Sequence, residues 1–64
     1  MKVNGTSISL ESSKSLLDFL SEQNYDVTKI AVERNGDIVP KAAYKDTMLY
    51  DEDTVEVVRF VGGG

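Results

Sequence analysis

Two Asn-Gly dipeptides, each set among alternating apolar and polar residues, decide most of what this chain can become. Asn-Gly supplies the two consecutive positive φ angles of a type I′ turn, the connection whose twist matches a pair of antiparallel strands. Around Asn4-Gly5 such a turn sets Val3 opposite Thr6 and Met1 opposite Ile8, so Met1, Val3, Ile8 and Leu10 share one face. A slip of one residue would move that whole set to the other side, so pattern and turn specify the same register. Around Asn35-Gly36 the arms are 30–34 and 37–39, with Val32 opposite Val39 on the core side and Arg34 opposite Asp37 as a cross-strand ion pair. Pro40 has no N–H to give a ladder, which makes the second arm short or an edge.

Between the hairpins, Ser12-Ser13-Lys14-Ser15 offers hydroxyls to the free N–H groups of a helix start, and Leu16, Leu17, Phe19 and Leu20 follow at helical spacing. The pattern predicts a helix from about Ser13 to Gln23. Ser15, with Asp18 three residues on, and Ser13 are equally good caps. Asn24-Tyr25-Asp26 reads as the exit loop. Further on, 41–44 reads as one helical turn, 48–50 as a short strand and Asp51-Glu52-Asp53 as a solvated polar turn without the glycine and spaced ligands of a calcium loop. Residues 54–60 carry the clearest strand signal in the chain, with Val55 and Val57 facing the helix and Glu56, Val58 and Phe60 the other side. A hairpin, a helix, a second strand pair and a long final strand make an α+β domain with one main helix on one sheet face. Placing the last strand in the sheet centre beside the first gives the β-grasp order, a mixed sheet of four to five strands. The domain is expected over 1–60, with a flexible glycine tail at 61–64.

What the residues exclude is as informative. A domain of 64 residues buries only about 60% of its unfolded surface, so its apolar side chains go to the core and a deep substrate pocket is not expected. The chain has no Cys and no His, which removes zinc sites, thiolate nucleophiles, Ser-His triads, imidazole bases and disulfides. Tyr25, Tyr44 and Tyr50 are accompanied by no activating histidine and read as core or rim residues and not as catalytic phenols. The net charge is −4, which argues against nucleic acid or an anionic membrane as partner and for a basic protein surface. Asp46, Asp51, Glu52, Asp53 and Glu56 concentrate that acidity late in the chain. No apolar run suits a secretory signal or reaches the roughly 20 residues of a bilayer span, so the expected location is the cytoplasm.

The final strand runs into Val61-Gly62-Gly63-Gly64. Five residues from Phe60 to Gly64 could reach roughly 17 Å, and glycines without Cβ atoms can thread a narrow slot. A plain carboxylate is a poor electrophile because its leaving group would be hydroxide. Adenylation with ATP replaces that leaving group with AMP, which a sulfur nucleophile can displace to leave a thiocarboxylate. The bland alternative is a frayed end or an added scar.

The stretches Val3-Asn4-Gly5, Leu16-Leu17-Asp18-Phe19-Leu20, 30–40 with its Asn35-Gly36-Asp37-Ile38-Val39-Pro40, and 53–64 with its terminal glycines resemble the ThiS family of sulfur carriers in thiamine thiazole biosynthesis, along essentially the whole chain. The resemblance implies a ubiquitin-like β-grasp protein that is a co-substrate and not an enzyme. It implies a thiocarboxylate on Gly64, installed through adenylation by a ubiquitin-activating-like adenylyltransferase and delivered to thiazole synthase. On that reading Gly62 and Gly63 thread the partner's active site, Val58, Arg59 and Phe60 are the docking candidates, and the free carrier is a monomer. No cofactor is held by the chain; ATP and a sulfur donor are used by the partner enzyme. Glu52 departs from the family, which usually places a glycine there, and puts the local turn type in question. A molybdopterin or tRNA-thiolation sulfur carrier and a conjugating ubiquitin-like modifier would share the tail chemistry; a plain binding module recognised by its sheet face is a further alternative that would not.

Overall fold

The computed structural model describes residues 1–60. In chain order the elements are β1 (Lys2–Val3), β2 (Thr6–Ser7), β3 (Lys14–Ser15), α1 (Leu16–Glu22), a 3-10 turn (Val27–Lys29), β4 (Ile30–Arg34), β5 (Asp37–Val39), a second 3-10 turn (Lys41–Ala43), β6 (Met48–Leu49) and β7 (Thr54–Arg59). Five strands form one mixed sheet in the order β2-β1-β7-β4-β5. The last strand lies in its centre, parallel to β1 and antiparallel to β4. This is the arrangement that the element order permits and the family resemblance implies.

Both Asn-Gly turns form with the anticipated register. Val3 pairs with Thr6, and Val32, Glu33 and Arg34 pair with Val39, Ile38 and Asp37. The φ angles are 51° and 83° at Asn4 and Gly5, and 52° and 88° at Asn35 and Gly36, the left-handed values a type I′ turn requires. Each asparagine also braces β7. The Val57 N–H donates to Asn4 Oδ1 at 2.8 Å, at a position beyond the end of β1, and the Thr54 N–H donates to Asn35 Oδ1 at 2.9 Å. β5 is three residues long and sits at a sheet edge, as Pro40 demands.

The helix is shorter than its sequence pattern. Ser15 is extended, with ψ of 152°, and its hydroxyl accepts from the Asp18 N–H at 3.1 Å, so Ser15 is the cap. Ser13 is not, because Lys14 and Ser15 are drawn into a small second sheet against Leu49 and Met48. At the other end Asn24 takes a φ of 62° in the position usually given to glycine. The Asn24 N–H donates to the Ser21 carbonyl and the Tyr25 N–H to the Leu20 carbonyl, which closes the helix in a Schellman motif.

Leu16, Phe19 and Leu20 on α1 pack against Val3, Ile30, Val32, Val55 and Val57 of the sheet, with Met1, Tyr44 and Leu49 completing the core. Leu17, one step off that stripe, is partly exposed.

Two expectations are corrected here. Arg34 faces Asp37 across the hairpin, but its guanidinium turns to Asp53, Nε to Oδ2 at 3.0 Å. Asp37 is exposed, whereas Asp53 is nearly buried and needs a cation. The Asp51–Asp53 turn is accordingly not merely solvated. Asp51 Oδ1 accepts from the Leu10 N–H and from the Met1 amine, each at 3.0 Å, and joins the first hairpin to the turn before β7.

Candidate functional site

Strand β7 carries the chain toward its end, and the residues around its last positions form the candidate site. Alternation along β7 buries Val55 and Val57 and leaves Glu56 and Val58 exposed on the outer sheet face. Val58 is 51% exposed and Phe60 54%; Ile38, on β5, is 76% exposed. Ala31 lies directly across from Val58, which widens the apolar strip.

The docking trio expected from the sequence is divided by the pleat. Arg59 projects to the side opposite Val58, and its guanidinium lies 5.3 Å from the centre of the Tyr25 ring. The Phe60 N–H donates to the Lys29 carbonyl at 2.9 Å and prolongs the β4–β7 ladder by one rung. Lys41 Nζ sits 5.8 Å from the Phe60 ring centre and also donates to the Val27 carbonyl. One shallow groove here is lined by Asn24, Asp26, Lys29, Ile30, Arg59 and Phe60, and a second by Leu17, Val27, Lys41, Ala42, Tyr44 and Lys45.

Four cations therefore gather at this end of the molecule: Lys29, Lys41, Lys45 and Arg59. Of these only Arg59 was singled out from the sequence; the three lysines come from the two 3-10 turns and the loop after the second, and no motif announced them. The carboxylate lining these grooves is Asp26. Hydrogen bonds from the Thr28 hydroxyl and N–H hold its pKa below the usual carboxylate range, and Lys29 approaches it at 4.0 Å. The acidic Asp51–Asp53 turn precedes β7 and so lies at the other end of that strand, about 20 Å away for six residues at ~3.3 Å each. Closeness in sequence between the acidic run and the end of β7 is not closeness in space.

Gly62, Gly63 and Gly64, expected to form the working tail, lie outside the described residues. Among the described residues no group of His, Cys, Asp or Glu could hold a metal ion, and no helix is long and apolar enough to cross a membrane. Tyr44 is in the core, where burial pushes its phenol pKa up although a backbone hydrogen bond to Val32 pulls the other way. Tyr25 and Tyr50 lie at the rim.

A mixed five-stranded sheet wrapped on one helix, with the last strand central, parallel to the first and leading to the chain end, defines a ubiquitin-like β-grasp protein. The whole chain, residues 1–64, matches the family model described as the ThiS family. The chain belongs to the ThiS family. A sulfur carrier protein ThiS of Bacillus subtilis is 40% identical over 47 residues, which cover 73% of this chain and 71% of that one. A thiazole synthase of Paramagnetospirillum magneticum is 40% identical over 62 residues. That match covers 97% of this chain but only 19% of the thiazole synthase, so the chain spans about a fifth of that relative. The crystal structure of a thiamine biosynthesis protein (ThiS) from Geobacter metallireducens superposes with a TM-score of 0.83 at 30% identity, covering 98% of this chain and 96% of that one.

Proposed function

We propose that this protein is a sulfur carrier for thiazole formation in thiamine biosynthesis, and that Gly64 carries the sulfur. The observation behind this reading is a family match that runs through the terminal Gly62-Gly63-Gly64, on a chain without Cys or His to supply chemistry of its own. The Gly64 carboxylate attacks the α-phosphorus of ATP on an adenylyltransferase of the ubiquitin-activating type, and pyrophosphate leaves. A sulfur nucleophile then adds to the acyl carbon; AMP departs and a C–S bond remains as the thiocarboxylate. On thiazole synthase the acyl C–S bond breaks as the sulfur passes to the acceptor, and an oxygen from water or from the acceptor takes its place and restores the carboxylate. Support for that partner comes from the stretch resembling this chain within the thiazole synthase of Paramagnetospirillum magneticum. The carrier acts in the cytoplasm as a co-substrate and contributes reach and docking surface, while the partners contribute the catalysis.

The test is mass spectrometry of the C-terminal peptide after incubation with cell extract, ATP and a sulfur donor, followed by a thiol-alkylating reagent. The chain has no Cys, so alkylation on the Gly64 peptide reports newly installed sulfur. Oxidation of Met1 or Met48 adds a similar mass but gives no alkylation. An unmodified tail in a competent extract, or a tail joined to lysines of other proteins, overturns the carrier reading in favour of a modifier or a binding module.

A further inference from the structure

From the charge layout we infer that Lys29, Lys41, Lys45 and Arg59 form a cationic collar around the base of the tail, and that this collar docks on an acidic rim bordering the slot that receives the tail in the adenylating enzyme. The inference rests on the carrier reading above and adds a partner chemistry that the sequence had pointed the opposite way.

The chain as a whole is acidic, with seven cations against eleven acids. Four of those seven nonetheless cluster within two adjoining grooves and the end of β7. Lys2 and Arg34 belong to other parts of the sheet, and Lys14 is engaged by Glu22 at 2.7 Å. Within the collar, Lys41, Lys45 and Arg59 have no carboxylate within 4.0 Å among the described residues, although the Lys41 charge still acts on Asp26, and Lys29 has only the long 4.0 Å approach to that same carboxylate. Two of the four cations are also held in place. Arg59 stacks on Tyr25, and Lys41 is tied to the Val27 carbonyl and lies beside the Phe60 ring. Ordering long side chains opposes binding, so cations already positioned by rings and carbonyls lose less on meeting a partner.

The occupant that fits is an acidic protein surface. Acidic protein and ATP phosphates are both anionic, but the collar surrounds the base of the tail, while the carboxylate to be adenylated is four residues further on, at a reach of roughly 14 Å. The nucleotide meets the tip; the enzyme's rim meets the base. Such a contact works mainly on encounter and orientation, and it weakens as salt rises.

The test compares AMP-forming activation of the whole chain by the purified adenylating enzyme for three proteins: the unaltered chain, Lys41→Gln/Lys45→Gln, and Lys2→Glu. Both variants remove the same two units of positive charge, but Lys2 pairs with Thr54 at the opposite end of β7. The collar variant is expected to raise KM for the carrier about tenfold at low ionic strength and about twofold near 0.5 M salt, with KM for ATP unchanged; Lys2→Glu should move it less than twofold. Equal effects of the two variants would reduce the collar to net charge and overturn the inference. A rise in KM for ATP would assign the collar to phosphates and overturn it equally. Failure of the unaltered chain to be activated at all would instead overturn the carrier reading beneath it.

Discussion

Arg34 and Asp53 form an ion pair between β4 and the turn before β7, Nε to Oδ2 at 3.0 Å and Nη2 to Oδ1 at 3.4 Å. Asp53 is only 5% exposed, yet every side of its carboxylate is met: the Asn35 amide donates at 3.0 Å and the Tyr50 N–H at 2.9 Å. Asp53 thus ties the second hairpin, through Arg34 and Asn35, to the start of the central strand. Removing it would leave four donor groups, on Arg34, Asn35 and Tyr50, without this acceptor beside the core. Asp53→Ala should therefore lower stability by about 3 kcal/mol, and Arg34→Ala by less, since the arginine is about a third exposed. Urea denaturation at neutral pH measures both.

The same carboxylate sets a pH dependence. Burial raises its pKa, but the hydrogen bonds from Tyr50, Asn35 and Arg34 together with the guanidinium charge outweigh burial and hold it below the ordinary value of 3.8. Asp51 is also held low, by the Leu10 N–H first and then by the Met1 amine. In both cases the unfolded chain binds a proton more readily than the folded one. The resulting stability is complete above about pH 5 and declines as pH falls through 3.8 and on toward the folded values. Denaturation midpoints between pH 7 and pH 2.5 should show a plateau and then a fall, and in Asp53→Asn the fall should be shallower.

Much of the fold was legible because its turns and its apolar alternation encode the same register. Val3 against Thr6 and Val32 against Val39 follow from counting outward from Asn-Gly, whereas element order only permitted the central place of β7 and the family resemblance selected it. What escaped was set by partners distant in sequence. Ser15 caps the helix as its spacing to Asp18 suggested, but the expected start at Ser13 fails because Lys14 and Ser15 pair with Leu49 and Met48, residues far along the chain. Arg34 has Asp37 nearby in sequence, but burial of Asp53 creates the stronger demand for a cation. At the candidate site, Val58 and Phe60 were readable from period-two alternation on a strong strand. Arg59 was readable as their neighbour on the same strand, but the three lysines beside them were not, because two 3-10 turns and the loop after the second converge there with no common spacing.

Asn4 and Asn35 have two tasks, and the tasks can be separated. Glycine at either position keeps the positive φ without strain but removes the oxygen that accepts from β7. Asn4→Gly should therefore cost about 1 kcal/mol through the lost Val57 bond, although turn propensity alone predicts almost no change. Gly36→Ala tests the other task. A Cβ there would meet nothing within 4 Å, so the expected loss of about 1 kcal/mol comes from its φ of 88° and not from a clash. Thermal melts of the two variants would give similar drops from unrelated causes, and a Gly36→D-Ala protein made by chemical ligation should recover the second.

Glu33 and Glu56 stand directly opposite each other on neighbouring strands, and neither has a cationic partner among the described residues. Like charges at facing positions of an antiparallel pair are unfavourable by a few tenths of a kcal/mol or more. Glu56→Thr removes the repulsion and introduces a residue that prefers strands, so it should stabilise the domain by about 0.5 kcal/mol, a rise of ~2–4 °C in Tm. The difference should shrink at high salt, where the repulsion in the unaltered protein is already screened.

The outer apolar strip gives a prediction in which folding and function part company. Val58 and Phe60 are each about half exposed, and neither belongs to the core. Surface changes of this kind generally alter stability by no more than about 0.5 kcal/mol, so Val58→Ser and Phe60→Ser should melt within a few degrees of the unaltered chain. If this strip seats the carrier on its adenylating enzyme, each substitution removes a contact worth about 1–2 kcal/mol and should weaken binding roughly 5- to 30-fold. Calorimetric titration of the enzyme with each variant reads the affinity, and a melt on the same sample reads the fold. Unchanged affinity for both variants would move the docking surface off this face, whereas a large loss of melting temperature would mean that the strip supports the sheet.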